Sequence, residues 1–349
     1  MNEIRFVHSD YWRLAESICG LADAPEWLRR LARDASRTAA LRTIELAATR
    51  HVDFLFIGGS CTSDDRFQLS VADWLREPLQ RLKNQGVQVA MAECDFGDVQ
   101  DLADIVIPAD HRLNIVRVGQ CVRMSTSTVN TNVETDLTIT PEHVAMNGSA
   151  KHNYVYRPQL RHEVNGKPGQ PHVYSAGSTQ AHSPVETGAF GCLLVGVDPD
   201  RQIIDAEFHA TDSVRFETRT LDTNEATSTS GILNEIVRAC RQIASQAVHT
   251  TVVDWQITQP IDISDISMVH HQLDTLSAVR ERLQTGHLGV WPRRISMCSP
   301  RFSAERLSGQ PAAQTLQTLL LQKTSDQRLH EPSTFEQLLT GARLLNKAA

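Results

Sequence analysis

The first hundred residues contain three short apolar runs separated by stretches with helical spacing, and this alternation constrains the fold most strongly. The runs are residues 3–8 (EIRFVH), 51–59 (HVDFLFIGG) and 87–94 (VQVAMAEC). Apolar runs of this length, bounded by turn residues, are typical of parallel strands that are buried on both faces. A long helical stretch after Pro25 and a second helix over 67–85 complete a β-α-β-α-β order. This order predicts a layered α/β domain.

The carboxyl ends of these strands are where we expect polar chemistry. In open α/β sheets the functional side chains lie beyond the carboxyl ends of the strands. The three strands end in the segments His8-Ser9-Asp10, Gly58-Gly59-Ser60 and Glu93-Cys94-Asp95. A site in the first domain is therefore expected to be assembled from these segments.

The pattern changes after about residue 105 to short strands separated by turn residues such as Asn165-Gly166, which predicts a mostly antiparallel second half. After a polar stretch, residues 231–298 follow an α-β-α-β pattern. We predict an α/β (α+β) fold in three parts. They are a main domain over 1–218, a small α/β domain over 219–298 and a helix-rich segment over 299–349.

Composition narrows the function classes. The chain has 349 residues and a formal net charge of −7, so tight DNA binding through net charge alone is not expected, although a basic patch on one face remains open. The seven cysteines form no C-x-x-C pair, which argues against a disulfide framework and a cysteine zinc site. No apolar stretch approaches the ~18 residues of a membrane span. These features predict a cytoplasmic protein.

Five segments of this chain resemble, in order, those of SbcD-type calcineurin-like metallophosphoesterases, the nuclease subunits that pair with SbcC ATPases. They are IRFVHSDYWRLAE, HVDFLFIGGSCTSDD, LREPLQRLKNQGVQVAMAECDFGD, HVYSAGSTQAHSPVETGAFGCLLVGVD and ATDSVRFETRTLD. The resemblance implies a four-layer α/β/β/α sandwich with a small α/β capping domain and C-terminal helices. It also implies a two-metal site, in which carboxylates, imidazoles and an Asn hold two divalent ions around a bridging water.

The metal-ligand motifs of that family are degenerate here. In that family the metal ligands come from five motifs, which are D-x-H, G-D-x-x-D, G-N-H-D, a middle His and G-H-x-H. We align these motifs with the predicted strands of this chain. The corresponding residues are Tyr11, Arg13, Ser60, Glu93, Cys94, Asp95, Asn147, Tyr154 and Tyr156. A shift of one residue in the first motif would retain Asp10 as a carboxylate.

The residues that remain could hold at most one weakly bound hard cation through oxygen ligands. The weak metal candidates are Asp10, Asp64, Asp95, His152 and His162, with Glu93 as a further carboxylate. Arg13 and Arg157 would add positive charge nearby, which disfavours a cation and favours phosphate. Isolated histidines have little ligand specificity, so we expect most of the 14 histidines to be scattered on the surface or in turns. No cofactor is predicted, or Mn²⁺ if the site is active.

Three functions remain open. The first is a catalytically degenerate SbcD-like subunit that serves as scaffold or partner of an SbcC-like coiled-coil ATPase, in DNA repair or in defence against foreign DNA. The second is an active metal-dependent DNA exonuclease or phosphodiesterase with a rearranged metal site. The third is an independent protein-interaction module. DNA contact through the complex and a homodimer through the N-terminal helices are implied by family analogy alone.

The C-terminal segment bears on the choice of partner. Its two helical patterns carry apolar residues at helical spacing, among them Leu316, Leu319, Leu320, Leu338 and Leu339. An apolar helical face must be buried against something. By the resemblance, these helices would dock on the base of the ATPase coiled coil, and packing on this chain's own small domain is the alternative.

Overall fold

The computed structural model describes residues 3–59, 61, 68–92, 102, 104–109, 113–118, 121–126, 135–143, 150–165, 172–198, 203–222, 229–258, 267–283 and 289–298. The chain divides into two compact units. Unit 1 comprises Met1–Glu217 and Ala247–Val252, and unit 2 comprises Thr218–Gln246 and Val253–Ala349. The predicted partner-docking segment, 299–349, lies outside the described residues.

Unit 1 has a mixed α/β architecture. Its described helices are α1 (Glu26–Arg33), α2 (Ala35–Thr49) and α3 (Gln68–Asn84). Its strands are β1 (Ile4–Ser9), β2 (Phe54–Ile57), β3 (Gln88–Met91), β4 (Val106–Pro108), β5 (Leu113–Val118), β6 (Cys121–Ser125), β7 (Leu137–Pro141), β8 (His152–Tyr156), β9 (Glu163–Asn165), β10 (Val173–Ser175), β11 (Gly191–Asp198) and β12 (Ile203–Ala210).

The first sheet has the strand order β12-β11-β1-β2-β3-β4. Strands β1 to β4 run parallel, as the predicted β-α-β-α-β order requires. Strands β11 and β12 extend the sheet in antiparallel pairing on the side of β1. The sheet is therefore mixed, and its parallel half places the carboxyl ends of β1, β2 and β3 at one edge.

The second sheet has the order β6-β5-β7-β8-β10-β9. Three of its five pairings are antiparallel, as the sequence predicts for this half of the chain. The other two differ, because β8 runs parallel to both β7 and β10. Parallel pairing of β8 with β10 matters for the site, because both strands then end at the same edge.

The long helix predicted after Pro25 is two helices. Pro25 lies just before α1, which is consistent with a helix start because proline needs no backbone donor there. The chain breaks at Asp34, whose φ of −100° and ψ of 3° fall outside helical values. The helical spacing continues through this break with a shift in its apolar stripe, which is why the pattern alone predicts one element.

The two sheets of unit 1 pack face to face. Phe6 and Phe56 of the first sheet share one buried cluster with Ile139, Tyr154 and Tyr156 of the second. The opposite face of the first sheet packs against α2 and α3, and α1 packs on α2. The described part of unit 1 therefore has three layers, α/β/β, and its three described helices pack on the side of the first sheet, whereas the resemblance implies a fourth layer on the second.

Unit 2 is a small α/β body. It contains α4 (Thr229–Gln246), α5 (Ser267–Leu283) and β15 (Val290–Cys298), together with parts of β13 (Val214–Asp222) and β14 (Thr250–Thr258). The three strands form a sheet in the order β13-β14-β15. Its core joins the apolar face of α4 to the inner face of the sheet and to Val279 and Leu283 of α5. No helix in the described part of the chain is long and apolar enough to cross a membrane.

Candidate functional site

The carboxyl ends of neighbouring parallel strands converge at one edge of the first sheet. Ser9 of β1 pairs with Ile57 of β2, which pairs in turn with Met91 of β3. Asp10 and Gly58 directly follow the first two strands. The described strand-end residues Ser9, Asp10 and Gly58 are therefore spatial neighbours, at the point where the second sheet packs against the first.

Asp10 is fully buried, and both of its carboxylate oxygens are engaged by groups of the protein. Oδ1 lies 2.8 Å from Nε2 of His8. Oδ2 accepts hydrogen bonds from the backbone N–H of Gly177 at 3.0 Å and from the Ser175 hydroxyl at 3.2 Å. Because burial without such partners is costly for a carboxylate, these bonds account for its stable place in the interior.

His8 links this carboxylate to the second sheet. Its Nδ1 lies 2.9 Å from the phenol oxygen of Tyr154. Burial, with the nearby Asp10 carboxylate as a smaller cause, raises the pKa of Tyr154 well above its usual value. The neutral phenol can therefore donate to Nδ1 while Nε2–H donates to Asp10, and every polar atom of the chain Tyr154–His8–Asp10 then has a partner. We call His8, Asp10, Tyr154, Ser175 and Gly177 the strand-end cluster.

Gly58 allows the strand-end cluster to close. A Cβ at this position would lie 2.8 Å from Oδ1 of Asp10, 3.0 Å from Nε2 of His8 and 3.1 Å from Cδ2 of Tyr156. Only glycine leaves room for these three side chains at once. The Tyr156 ring packs edge-to-face on Phe56, with 4.9 Å between ring centroids, so aromatic groups fill the space between the sheets.

The described residues of the strand-end cluster do not fit a two-metal centre. The two groups with ligand chemistry, His8 and Asp10, bond to each other, and the second oxygen of Asp10 already accepts two hydrogen bonds. No three His, Cys, Asp or Glu side chains of the described residues gather as a metal-binding group. A pair of ions needs several unoccupied donors that face one cavity, and this closed network offers none.

Asp10, the carboxylate that the one-residue shift would retain, directly follows β1, and its neighbours Tyr11 and Trp12 have structural contacts. Tyr11 lies against Gly59, whose Cβ would be 3.0 Å from the Tyr11 ring. Trp12 is fully buried in the core between the first sheet and the helices, and its Nε1–H donates to the Ser9 hydroxyl at 2.8 Å. The Trp12 indole thus anchors the end of β1.

Arg13 belongs to a second polar cluster instead. Its guanidinium pairs with Glu16 at 2.7 Å and with Glu186 at 3.1 Å. Glu186 also accepts a hydrogen bond from the backbone N–H of His182 at 2.7 Å, and Nε2 of His182 lies 3.1 Å from the hydroxyl of Ser36. Burial, followed by the charge of Arg13, lowers the pKa of His182 to about 4. This cluster ties the loop before β11 to the N-terminal segment and to α2.

The expected basic mouth is not formed by the two predicted arginines. The charge of Arg13 is offset by two glutamates, and Arg157 pairs through two nitrogens with Glu142 at the surface. A paired guanidinium contributes less local potential than a free one. Neither residue therefore supplies the phosphate-attracting charge that the sequence suggests.

Three histidines are more deeply buried than the sequence predicts. His8, His152 and His182 are all buried, so the expectation of surface or turn positions is wrong for these three. His152 begins β8, and His162 stacks on Phe208 with ring centroids 4.0 Å apart. Burial and the neighbouring Arg161 lower the pKa of His162. Among the described contacts, only His8 joins Asp10.

Several predicted positions lie outside the described residues. These are Ser60, Glu93, Cys94, Asp95 and Asn147 of the degenerate motifs, the weak metal candidate Asp64, and Leu316, Leu319, Leu320, Leu338 and Leu339 of the C-terminal segment. Tyr154 and Tyr156 are described, and β8 carries both on the face that meets the first sheet. Sequence reasoning missed Ser175, Gly177 and Glu186 as partners. The glycine-serine turn after β10 was the available signal for the first two.

No known protein-family model matches this chain, and no curated protein matches it closely enough to count as a relative.

Proposed function

We propose that this chain has a calcineurin-like phosphoesterase fold and acts as a catalytically degenerate SbcD-like subunit. In this role it is a scaffold for an SbcC-like coiled-coil ATPase in DNA repair or in defence against foreign DNA. The single observation that carries the proposal is the closed strand-end cluster. A carboxylate lies at the end of β1, where a two-metal phosphoesterase needs one, but His8, Ser175 and Gly177 use its oxygens.

Two features of unit 1 support the fold part of the proposal. Two six-stranded sheets pack face to face, and helices cover the outer face of the first. The site lies where both sheets meet, at the ends of parallel strands. The resemblance of five sequence segments to SbcD-type proteins, in the same order, supports the family assignment and with it the ATPase partner.

The loss of catalysis has a physical argument of its own. A hydrolytic two-metal site lowers the pKa of a bridging water by placing it between two cations. Among the described residues of this sheet edge, buried aromatic rings and a satisfied Tyr–His–Asp chain are found in place of open ligands. We therefore assign no catalytic residue and no cofactor, and the fold's role is to present surfaces.

The experiment has two arms, both on the full chain. In the first, the purified protein is mixed with Mn²⁺ and either linear DNA or a small phosphodiester substrate. We expect no turnover above a metal-free control. Metal-dependent cleavage that disappears in Asp10→Asn would support the active nuclease instead. In the second, the protein is co-expressed with a coiled-coil ATPase encoded beside it, and the two are expected to co-purify.

The second arm has a matched control. Replacement of Leu316 and Leu320 by Asp in the C-terminal segment should abolish co-purification. The same change at Val248, whose side chain is 92% exposed, should leave it intact. Equal recovery of the ATPase with all variants would rule out docking by the C-terminal segment. Absence of any complex with the unmodified chain would leave the independent interaction module as the better description.

A further inference from the structure

A pocket in unit 1 is lined by helix α1 and by the chain segment over residues 17–22 that precedes it. Its volume is about 560 Å³. The helix contributes the buried Ala32 and three charged side chains, which are Glu26, Arg29 and Arg33. The charged residues occur at intervals of three and four, so they form one stripe along the helix. We call this feature the α1 pocket.

The charged stripe of the α1 pocket has one positive charge in excess, because two guanidinium groups accompany one carboxylate. Arg29 donates to Oε2 of Glu26 at 3.0 Å, and Arg33 donates to Oε1 of the same residue at 3.1 Å. These bonds use one nitrogen of each guanidinium, and a guanidinium carries several further N–H donors. Both ion pairs are exposed, and such pairs are weak enough to rearrange. The stripe can therefore accept one more carboxylate.

The wall formed by residues 17–22 is mainly aliphatic. Ile18, Leu21 and Ala22 line it, and Ser17 and Cys19 add two small polar groups. The described lining contains no aromatic side chain, so it offers no ring on which a nucleobase could stack. A ligand that matches both walls has an aliphatic body and one negative charge.

This aliphatic wall is held in place by backbone hydrogen bonds before any ligand arrives. The N–H of Cys19 donates to the carbonyl oxygen of His182 at 2.8 Å, and the N–H of Ala24 donates to that of Leu21 at 3.1 Å. Between these bonds lies Gly20, whose φ of 77° is a conformation that glycine adopts without strain. A preformed wall loses little conformational entropy when a ligand binds.

We propose that the α1 pocket binds a medium-chain aliphatic carboxylic acid. The carboxylate bonds to the guanidinium groups of Arg29 and Arg33, whose planar geometry it matches. The alkyl chain lies against Ile18, Leu21 and Ala32. The pocket volume is within the range of ordinary small-molecule sites. The inference does not depend on the ATPase partner, because every residue that it uses belongs to α1 or to the segment before it.

The thiol of Cys19 provides the readout. Of the described cysteines, Cys19 and Cys121 are exposed, and Cys19 lines the pocket. The full chain is alkylated with iodoacetamide, and peptide mass spectrometry follows both thiols over time. A bound acid covers Cys19 and slows its alkylation, whereas Cys121 reports any general effect on the reaction. The probes are acetate, butyrate, hexanoate and octanoate, with hexanol as the uncharged analogue, all at constant ionic strength.

Protection of Cys19 should depend on both the charge and the chain of the probe. We expect octanoate to slow alkylation about threefold at a concentration of twice its dissociation constant. Each pair of added methylene groups should tighten binding by roughly three- to tenfold, because complete burial of one methylene contributes about fourfold. Acetate has the charge without the chain and hexanol has the chain without the charge, so each should protect weakly.

Three variants test the charged stripe. Arg29→Gln with Arg33→Gln should weaken octanoate binding roughly tenfold or more, because the bonds to the carboxylate are lost. Arg30→Gln with Arg50→Gln removes the same charge at exposed positions outside the described lining, so affinity should stay within about twofold. Glu26→Gln removes the competing carboxylate, so octanoate should bind about threefold or more tightly. Each variant is its own reference, because its rates with and without ligand are compared, and circular dichroism verifies folding.

Several results would overturn the proposal. One is equal protection of Cys19 by acetate and octanoate, which would indicate a general ionic effect. Another is octanoate protection that persists in Arg29→Gln with Arg33→Gln. A third is the absence of protection by octanoate at millimolar concentration. Weaker octanoate binding in Glu26→Gln would also contradict it, because a purely structural role of the ion pairs predicts that loss.

Discussion

The strand-end cluster of unit 1 and a cleft of unit 2 that is lined by Arg238, Arg241 and Arg282 both concentrate polar groups, but they use them in opposite ways. In the cluster, Asp10 has no exposed surface, and each carboxylate oxygen bonds to the protein itself. In the cleft, Arg241 and Arg282 are exposed, and within the described residues neither has a carboxylate partner. A position at a sheet edge therefore does not by itself define a binding site. A polar group can bind a ligand only if its hydrogen-bonding atoms are not already bonded to the protein.

The two regions should contribute differently to the free energy of unfolding. A buried network contributes to folding, and removing one member leaves others without partners. An exposed cationic group contributes little to folding, and its loss changes the affinity for an anion. Substitutions in the cluster should therefore lower the free energy of unfolding, and substitutions of the exposed arginines in the cleft should leave it nearly unchanged.

The largest effect is expected for Asp10→Ala. It leaves His8 and the Gly177 N–H without their acceptor in a buried place, while the Ser175 hydroxyl keeps the Arg161 carbonyl oxygen at 3.0 Å, so the free energy of unfolding should fall by about 4 kcal/mol. Urea denaturation at neutral pH measures this. Glu142→Ala, which removes an exposed partner of Arg157, should cost less than about 1 kcal/mol. Similar losses for the two variants would show that Asp10 is not part of a closed network.

Gly58→Ala should come next. Its Cβ would approach Asp10 and His8 to 2.8 and 3.0 Å, and both side chains are held by their hydrogen bonds, so we expect a loss of about 2–3 kcal/mol. Gly196→Ala in β11 is the matched control. There the added carbon meets only the flexible end of Glu3, which can move aside. If thermal unfolding gave the same midpoint for both variants, the cluster would have more room than the distances indicate.

A smaller effect concerns pH and the second buried cluster. The pKa of His182 is lowered from 6.5 to about 4, because burial disfavours its charged form. The unfolded chain then binds a proton between these two values and the folded chain does not, so stability present above pH 6.5 is lost as the pH falls towards 4. The change in free energy of unfolding between pH 7 and pH 5 should be about 2 kcal/mol from this group.

Measurement of that change needs a reference chain. In His182→Gln the contribution disappears, so the difference in stability between the unmodified chain and this variant should shrink on acidification. Arg13, Glu16 and Glu186 surround the group, and in the folded chain the arginine is paired with both glutamates. A stability difference that stays constant between pH 7 and pH 5 would contradict a neutral, buried His182.

Local pattern predicted much of the fold and little of the site. The apolar runs correctly predicted β1, β2 and β3, and the α-β-α-β pattern of unit 2 is observed in α4, β14, α5 and β15. These elements follow from side-chain periodicity, which is a property of neighbouring residues. The break at Asp34 was missed because helical spacing continues across it.

The partners of Asp10 could not be predicted in the same way. Tyr154 is 146 residues from His8, and Gly177 is 167 residues from Asp10. These pairs arise from the packing of one sheet on another, to which no local pattern points. The burial of His8 was predictable only in part, from its place at the end of an apolar strand, and its hydrogen bonds depend on a tyrosine from the second sheet.

Calorimetric titration of the metal-stripped full chain with Mn²⁺ tests the central claim most directly. The closed strand-end cluster predicts no binding heat up to about millimolar Mn²⁺, because the ligand groups of His8 and Asp10 are bonded to each other and to the protein. Two ions bound with micromolar affinity, with the heat lost in Asp10→Asn, would contradict it. That result would favour an active metallophosphoesterase over a catalytically degenerate subunit.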